Sequence, residues 1–251
     1  MLPTFTKSAL TVGTAAGTLL LAASSASAFS FTTNFSNQPS PGDIFLESVK
    51  IGNTVIYDFA LVNDVLSLDN PNYVGGNSGA ASSDLDDDAT PTTGVIAEDP
   101  TLEQVETSLG NRYLTSIIDT EDQGIFEMTL QFDSAFNTLL FWERGLNSDL
   151  GVRIGTEEFI IDRSYFVDAG YDLDTNEITS SQNVGSYGLK LSDLGISGKY
   201  TGPVTLFTSQ GFNGPDFKVV GATVPEPATV LGLTAIAGAF VASRRKKDQT
   251  A

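Results

Sequence analysis

The run FEMTLQFDSAFNTLLFW, residues 126–142, decides the fold class of this chain. In its first half Phe126, Met128, Leu130 and Phe132 alternate with Glu127, Thr129, Gln131 and Asp133. Successive side chains of a strand point to opposite faces, so this period of two is the pattern of a half-buried β-strand. The second half, residues 137–142, is almost continuously apolar and suits a strand in the middle of a sheet.

The same short units recur on both sides. Residues 44–51 and 54–62 read as two strands joined by the tight turn Gly52-Asn53, with Val55, Tyr57, Phe59 and Leu61 sharing one face of the second. Further strands are expected at 151–154, 158–162, 187–191, 204–209 and 217–224. Short strands punctuated by Gly, Asn, Asp and Ser predict a mainly β fold, an antiparallel β-sandwich. One short helix is expected at 101–109. Thr101 with Gln104 three residues on forms a capping box, Gly110 is a stop, and Leu102, Val105 and Leu109 make the apolar stripe. Residues 71–100, rich in Asp, Ser, Gly, Ala and Thr, read as a long acidic, exposed loop.

The two ends differ from this body. Lys7 precedes an uncharged stretch, residues 8–23, and Ala26-Ser27-Ala28 then supplies the small residues that signal peptidase accepts. Residues 1–28 therefore read as a signal helix, with Phe29 as the first residue after cleavage. At the other end, residues 228–243 carry no charge and would span about 24 Å as a helix. That is short for a hydrocarbon core of about 30 Å, and suits temporary retention. Arg244, Arg245, Lys246 and Lys247 follow at once and would stay on the cytoplasmic side, leaving the body facing outward. The expected organisation is a signal peptide (1–28), a β-sandwich domain (29–224) and a C-terminal membrane-spanning sorting segment (225–251).

Val224-Pro225-Glu226-Pro227, an apolar segment and a basic cluster, in that order, resemble the PEP-CTERM sorting signal of Gram-negative-type bacteria. The resemblance implies recognition by the membrane protease exosortase and release or transfer of the body to the cell surface or extracellular matrix. The proline pair disfavours helix just before the apolar segment and leaves an extended strip for a protease to read. Within the body, SLGNRYLTSIIDTED (108–122), FWERGLNSD (141–149) and GPDFKVVG (214–221) look like a subgroup of exosortase-dependent surface proteins typical of cyanobacteria. That likeness implies no activity and brings no catalytic residues.

Composition excludes several functions. Removing Lys7 and the four terminal bases leaves eight of 13 Lys and Arg, and removing Asp248 leaves 30 of 31 Asp and Glu, a net charge of −22. So acidic a body repels nucleic acid and anionic surfaces. The chain has neither Cys nor His, so it has no disulfide, no Ser-His-Asp triad and no His- or Cys-ligated zinc. A metal would have to be a hard cation held by oxygen, which points to calcium.

Three constellations are candidates for chemistry. Trp142, the only tryptophan, stands beside Glu143, Arg144, Asn147 and Asp149. This is either a saccharide platform or a core tryptophan next to a turn held by a Glu or Asp to Arg144 ion pair. Glu143 with Asp149 or Glu127 would also be a carboxylate pair for glycoside hydrolysis. Asp172, Asp174 and Asn176, with Asp168 nearby, place oxygens at alternate positions as a calcium loop does, but Glu177 stands where the glycine should be and Asn183 where the bidentate Glu should be. The acidic run at 84–88 supplies charge without geometry and reads as a solvated segment. The leading expectation is a non-enzymatic protein of the envelope or exopolysaccharide layer. The alternatives are a calcium-assisted carbohydrate-binding module and a carboxylate-based glycosidase.

Overall fold

The structure is a computed structural model that describes residues 29–37, 44–71, 82–85, 94–120, 124–173, 175 and 180–225. The signal segment, the apolar and basic parts of the tail, and Asp174 and Asn176 lie outside the described residues. In chain order the elements begin with β1 (Thr32–Asn37), β2 (Ile44–Ile51), β3 (Thr54–Ile56), β4 (Phe59–Ala60), β5 (Val62–Asp69) and β6 (Ser82–Leu85). Helix α1 (Leu102–Leu109) is followed by β7 (Ser116–Asp119), β8 (Glu127–Phe132), β9 (Thr138–Arg144), β10 (Leu150–Ile154) and β11 (Glu157–Ile161). The last four strands are β12 (Val167–Leu173), β13 (Gln182–Lys190), β14 (Val204–Phe207) and β15 (Asp216–Ala222).

These strands form three antiparallel sheets. The largest runs β12-β13-β9-β15-β7-β6, with β4 also paired to β15. A second runs β11-β10-β14-β8-β5, and a third, smaller one runs β1-β2-β3. The large sheet is covered on both faces. Leu139, Phe141, Tyr187, Leu189, Phe217 and Val219 pack against the five-stranded sheet through Met128, Leu130, Val152 and Leu206. The intervening residues Leu140, Trp142, Val184 and Val220 pack the other way, onto Phe31, Leu46, Val49 and Ile56 of the small sheet and its lead-in. A strand with a core on either side has no polar face to show, so every residue of β9 is buried. The half-buried reading of β8 holds as well, with Met128, Leu130 and Phe132 inside and Glu127 exposed.

Two expectations from the sequence change. The second run of the hairpin is not one strand but three short ones, β3, β4 and the start of β5, which serve three different sheets. Its buried residues are Ile56, Ala60 and Val62, while Val55 and Tyr57 are exposed at 40% and 63%. The chain leaves the hairpin at Tyr57 to cross between sheets, and the two-residue alternation does not survive that crossing. Within the expected 71–100 loop, β6 pairs with β7, Ser82 opposite Asp119 through Leu85 opposite Ser116. A strand at a sheet edge needs only backbone hydrogen bonds, so it forms without an apolar pattern.

Helix α1 starts at the predicted capping box. The Gln104 amide donates to Thr101 Oγ1 at 3.3 Å and the Thr101 amide to Gln104 Oε1 at 2.8 Å. Val105 and Leu109 are buried, but Leu102 is not. No basic residue of the helix itself lies in its last turn. A donor there comes from β15: Lys218, fully buried and with its pKa pushed well down by that burial, donates from Nζ to the Ser108 carbonyl and, at 3.0 Å, to Asn111 Oδ1. The helix C-terminus is thereby fixed to the central sheet.

Candidate functional site

The three stretches that carried the surface-protein likeness meet in space. SLGNRYLTSIIDTED contains the end of α1 and β7, FWERGLNSD contains the end of β9, and GPDFKVVG contains most of β15. Strands β9, β15 and β7 are neighbours, with Arg144 opposite Asp216, Trp142 opposite Lys218 and Ile118 opposite Phe217. The candidate site is the buried polar network that results.

Arg144 is its centre. Its Nη1 lies 3.1 Å from Asp216 Oδ2, its Nε donates to the Leu173 carbonyl at 2.9 Å, and its Nη2 donates to the Ser180 carbonyl at 3.2 Å. Asp216 Oδ1 accepts the Thr120 amide at 3.1 Å. One guanidinium therefore ties β9, β12, β15 and the approach to β13 together. Burial pushes the Asp216 carboxyl above its ordinary range, against the downward pull of the Thr120 amide and of Arg144. The expected ion pair between Arg144 and an acid is present. Its acid lies 72 positions away in the chain and is brought opposite by strand pairing.

Glu143 points to the other face of the sheet and is wholly buried. Desolvation raises its pKa to about 8, and the Leu146 and Asn147 amides, the Ser148 hydroxyl and the Arg144 charge recover only part of the cost. These groups approach the carboxyl, but neither oxygen closes a well-formed hydrogen bond. The site holds a single guanidinium, which lies against Asp216, so burial favours the protonated form of Glu143. The turn after β9 supports this enclosure. Gly145 has φ +103°, a conformation open to glycine, and an added Cβ would sit 2.9 Å from Gln182 Oε1.

Trp142 is 1% exposed. Its Nε1 donates to Thr33 Oγ1 at 2.9 Å, and its ring meets Phe31 edge-on at a centroid distance of 5.3 Å. No face of the ring is offered to a sugar, which removes the platform reading for this residue. Trp142→Ala is expected to cost about 3–5 kcal/mol in urea unfolding, as for other buried aromatics. A Trp142→Phe variant should lose less and bind polysaccharide no differently from the parent.

The proposed carboxylate pairs are engaged elsewhere. Asp149 holds Arg163 through two side-chain contacts, at 3.1 and 2.9 Å, and accepts the Arg163 amide at 2.8 Å. Glu127 and Glu158 share Arg153 at 2.9 and 2.6 Å. Asn147 Oδ1 accepts the Ser148 hydroxyl at 2.6 Å and shapes the same turn.

Of the four residues put forward for calcium, Asp168 and Asp172 are described. Both lie on the exposed face of β12, while Ala169, Tyr171 and Leu173 point inward. Asp168 Oδ1 accepts the Gly170 amide at 2.8 Å. Among the described residues no group of three or more acids is placed to hold a metal.

At the body's end, Asn137 grips the last residue before the proline pair. The Val224 amide donates to Asn137 Oδ1 at 2.8 Å, and Asn137 Nδ2 donates to the Val224 carbonyl at 2.7 Å. Asn137→Ala should cost about 1–2 kcal/mol and speed hydrogen exchange at Val224 well before the rest of β15. Sequence reading missed Asp216, Lys218, Thr120 and Asn137. The one available signal was charge inside the otherwise apolar run DFKVVGA, an unusual pattern for a buried strand. Comparison with protein-family models, with curated proteins and with solved structures returned no match.

Proposed function

We propose that this chain is an exported surface protein, sorted by exosortase at its PEP-CTERM tail and serving a non-enzymatic role in the cell envelope or exopolysaccharide layer. The observation that carries this reading is the junction between body and tail. Strand β15 ends at Ala222, the Asn137 clamp closes on Val224, and the Pro-Glu-Pro tripeptide begins with the next residue. The fold is complete where the sorting label starts, so the tail can be cut or transferred without unravelling the sheet. Among the described residues no helix is long and apolar enough to cross a membrane, and the expected span, residues 228–243, lies outside them.

The non-enzymatic side of the proposal draws support from the charged side chains that sequence put forward for chemistry. Glu143 is enclosed, Arg144 is spent on Asp216 and two carbonyls, and Asp149 is spent on Arg163. Arg144 and Asp149 hold the fold together, and Glu143 is closed off within it. The test is the intact mass of the protein recovered from its own cell surface and medium. A product running from Phe29 to near Pro227, free or attached to a carrier at its C-terminus, is expected. A mass that runs on to Ala251 would show an ordinary membrane anchor and end the sorting proposal.

A further inference from the structure

The eight Lys and Arg of the body are not spread evenly. Arg144 and Lys218 are buried, Arg153 and Arg163 are ion-paired, and Arg112 donates to the Glu47 carbonyl and lies over the Phe45 and Phe59 rings. The remaining three, Lys50, Lys190 and Lys199, form no ion pair among the described residues. They line three adjoining depressions along the β2–β3 hairpin. Lys50 shares one with Gly52, Lys190 shares the next with Gly52, Thr54 and Pro225, and Lys199 shares the third with Thr54 and Pro225.

Both ends of the described body come to this same face. Pro225 lies between the Lys190 and Lys199 depressions. Phe29 bridges to Gly188, accepting its amide at 3.2 Å, and Lys190 Nζ stands 5.3 Å from the centre of the Phe29 ring. After signal cleavage before Phe29, the new α-ammonium would add a fourth positive charge here. Tyr57, 63% exposed, rises from the rim beside Lys199.

We propose that this face is the one turned to the membrane while the chain is tethered, with Lys50, Lys190 and Lys199 contacting the phosphates of anionic phospholipid headgroups. The inference rests on the tail reading given above. The body as a whole is repelled by an anionic surface, but charges farther away than a Debye length, about 8–10 Å, are screened. A tethered acidic body therefore turns its least negative face to the lipid. Asp58 and Asp168 share these rims and Asp193 lies within electrostatic reach of Lys190, so the face is mixed rather than strongly basic. An exposed tyrosine beside lysines suits the depth of the headgroups, where aromatic rings with one polar end collect.

The test is hydrogen exchange at residues 51–57 in the full-length protein reconstituted into phosphatidylcholine vesicles, with or without phosphatidylglycerol. Exchange should slow roughly fivefold only when phosphatidylglycerol is present. High salt should remove the protection, as should replacing the three lysines together (Lys50→Gln, Lys190→Gln, Lys199→Gln). Equal exchange in both lipids, with the protein floating with the vesicles in each, would overturn this inference and leave the tail reading standing. Protection unchanged by the triple substitution would also overturn it. A protein that floats with neither vesicle would sink the tail reading and this inference with it.

Discussion

Replacing Arg144 by Met is expected to lower the unfolding free energy by about 3–5 kcal/mol, measured by urea denaturation at neutral pH. The cost lies less in the lost attraction than in what is left behind. Asp216 would keep only the Thr120 amide, and the Leu173 and Ser180 carbonyls would lose their donors. The double substitution Arg144→Met with Asp216→Leu removes both charges and should recover most of the loss, because apolar side chains of similar size are well tolerated where a buried pair stood. The single variant should also be relatively better off at pH 5, where the orphaned Asp216 takes up a proton. A single-variant loss below about 1 kcal/mol would mean that the guanidinium is not what joins these strands.

The second large effect is a dependence of stability on pH that runs opposite to ordinary acid denaturation. Glu143 has a pKa of about 8 in the fold, against an ordinary value of 4.5. Between those values the folded state holds a proton that the unfolded state has released, so stability must fall as pH rises. The contribution is fully present below about pH 4.5 and is lost as pH passes through 8. Full linkage over that window amounts to on the order of 4–5 kcal/mol. Asp216, also pushed upward by burial, acts in the same direction, and so does the mutual repulsion of the excess carboxylates. Urea midpoints should therefore be higher at pH 5 than at pH 8. Glu143→Gln keeps the shape and cannot ionise, so it should flatten the profile and stabilise the protein at pH 8. A parent profile already flat between pH 5 and 8 would show that Glu143 is ionised in the fold or reaches water.

The features legible in the sequence are patterns with a short physical cause. Alternation at residues 126–132 placed β8 and its buried face, and the continuous apolar run after it placed a central strand, since a strand covered on both sides has no polar face to display. The capping box placed α1, because its two hydrogen bonds connect residues only three apart. Turn residues marked β2 and β3.

Other features depend on partners distant in the chain. Trp142 beside four polar neighbours left a binding platform and a core position both open, and Phe31 and Thr33, more than a hundred residues earlier, decide for the core. Asp172, which opened the calcium-like run, is placed by the pairing of β12 with β13 on the exposed face of a strand, and the rest of that run, Asp174 and Asn176, lies outside the described residues. Sequence also missed Ser82–Leu85, which joins a sheet by pairing along β7.

By itself the sequence determined the class of fold, the acidity of the body, and the chemistry that a chain without cysteine or histidine cannot perform. These follow from composition and from periodicities a few residues long, which act locally. Tertiary structure alone decided which charge meets which. Arg144 finds Asp216 and Lys218 finds the end of α1 because antiparallel pairing of β9, β15 and β7 brings them into register. Enclosure by two further sheets then turns those same residues from candidates for chemistry into the polar framework of the core. Burial and long-range pairing belong to the whole fold, and no window of neighbouring residues contains them.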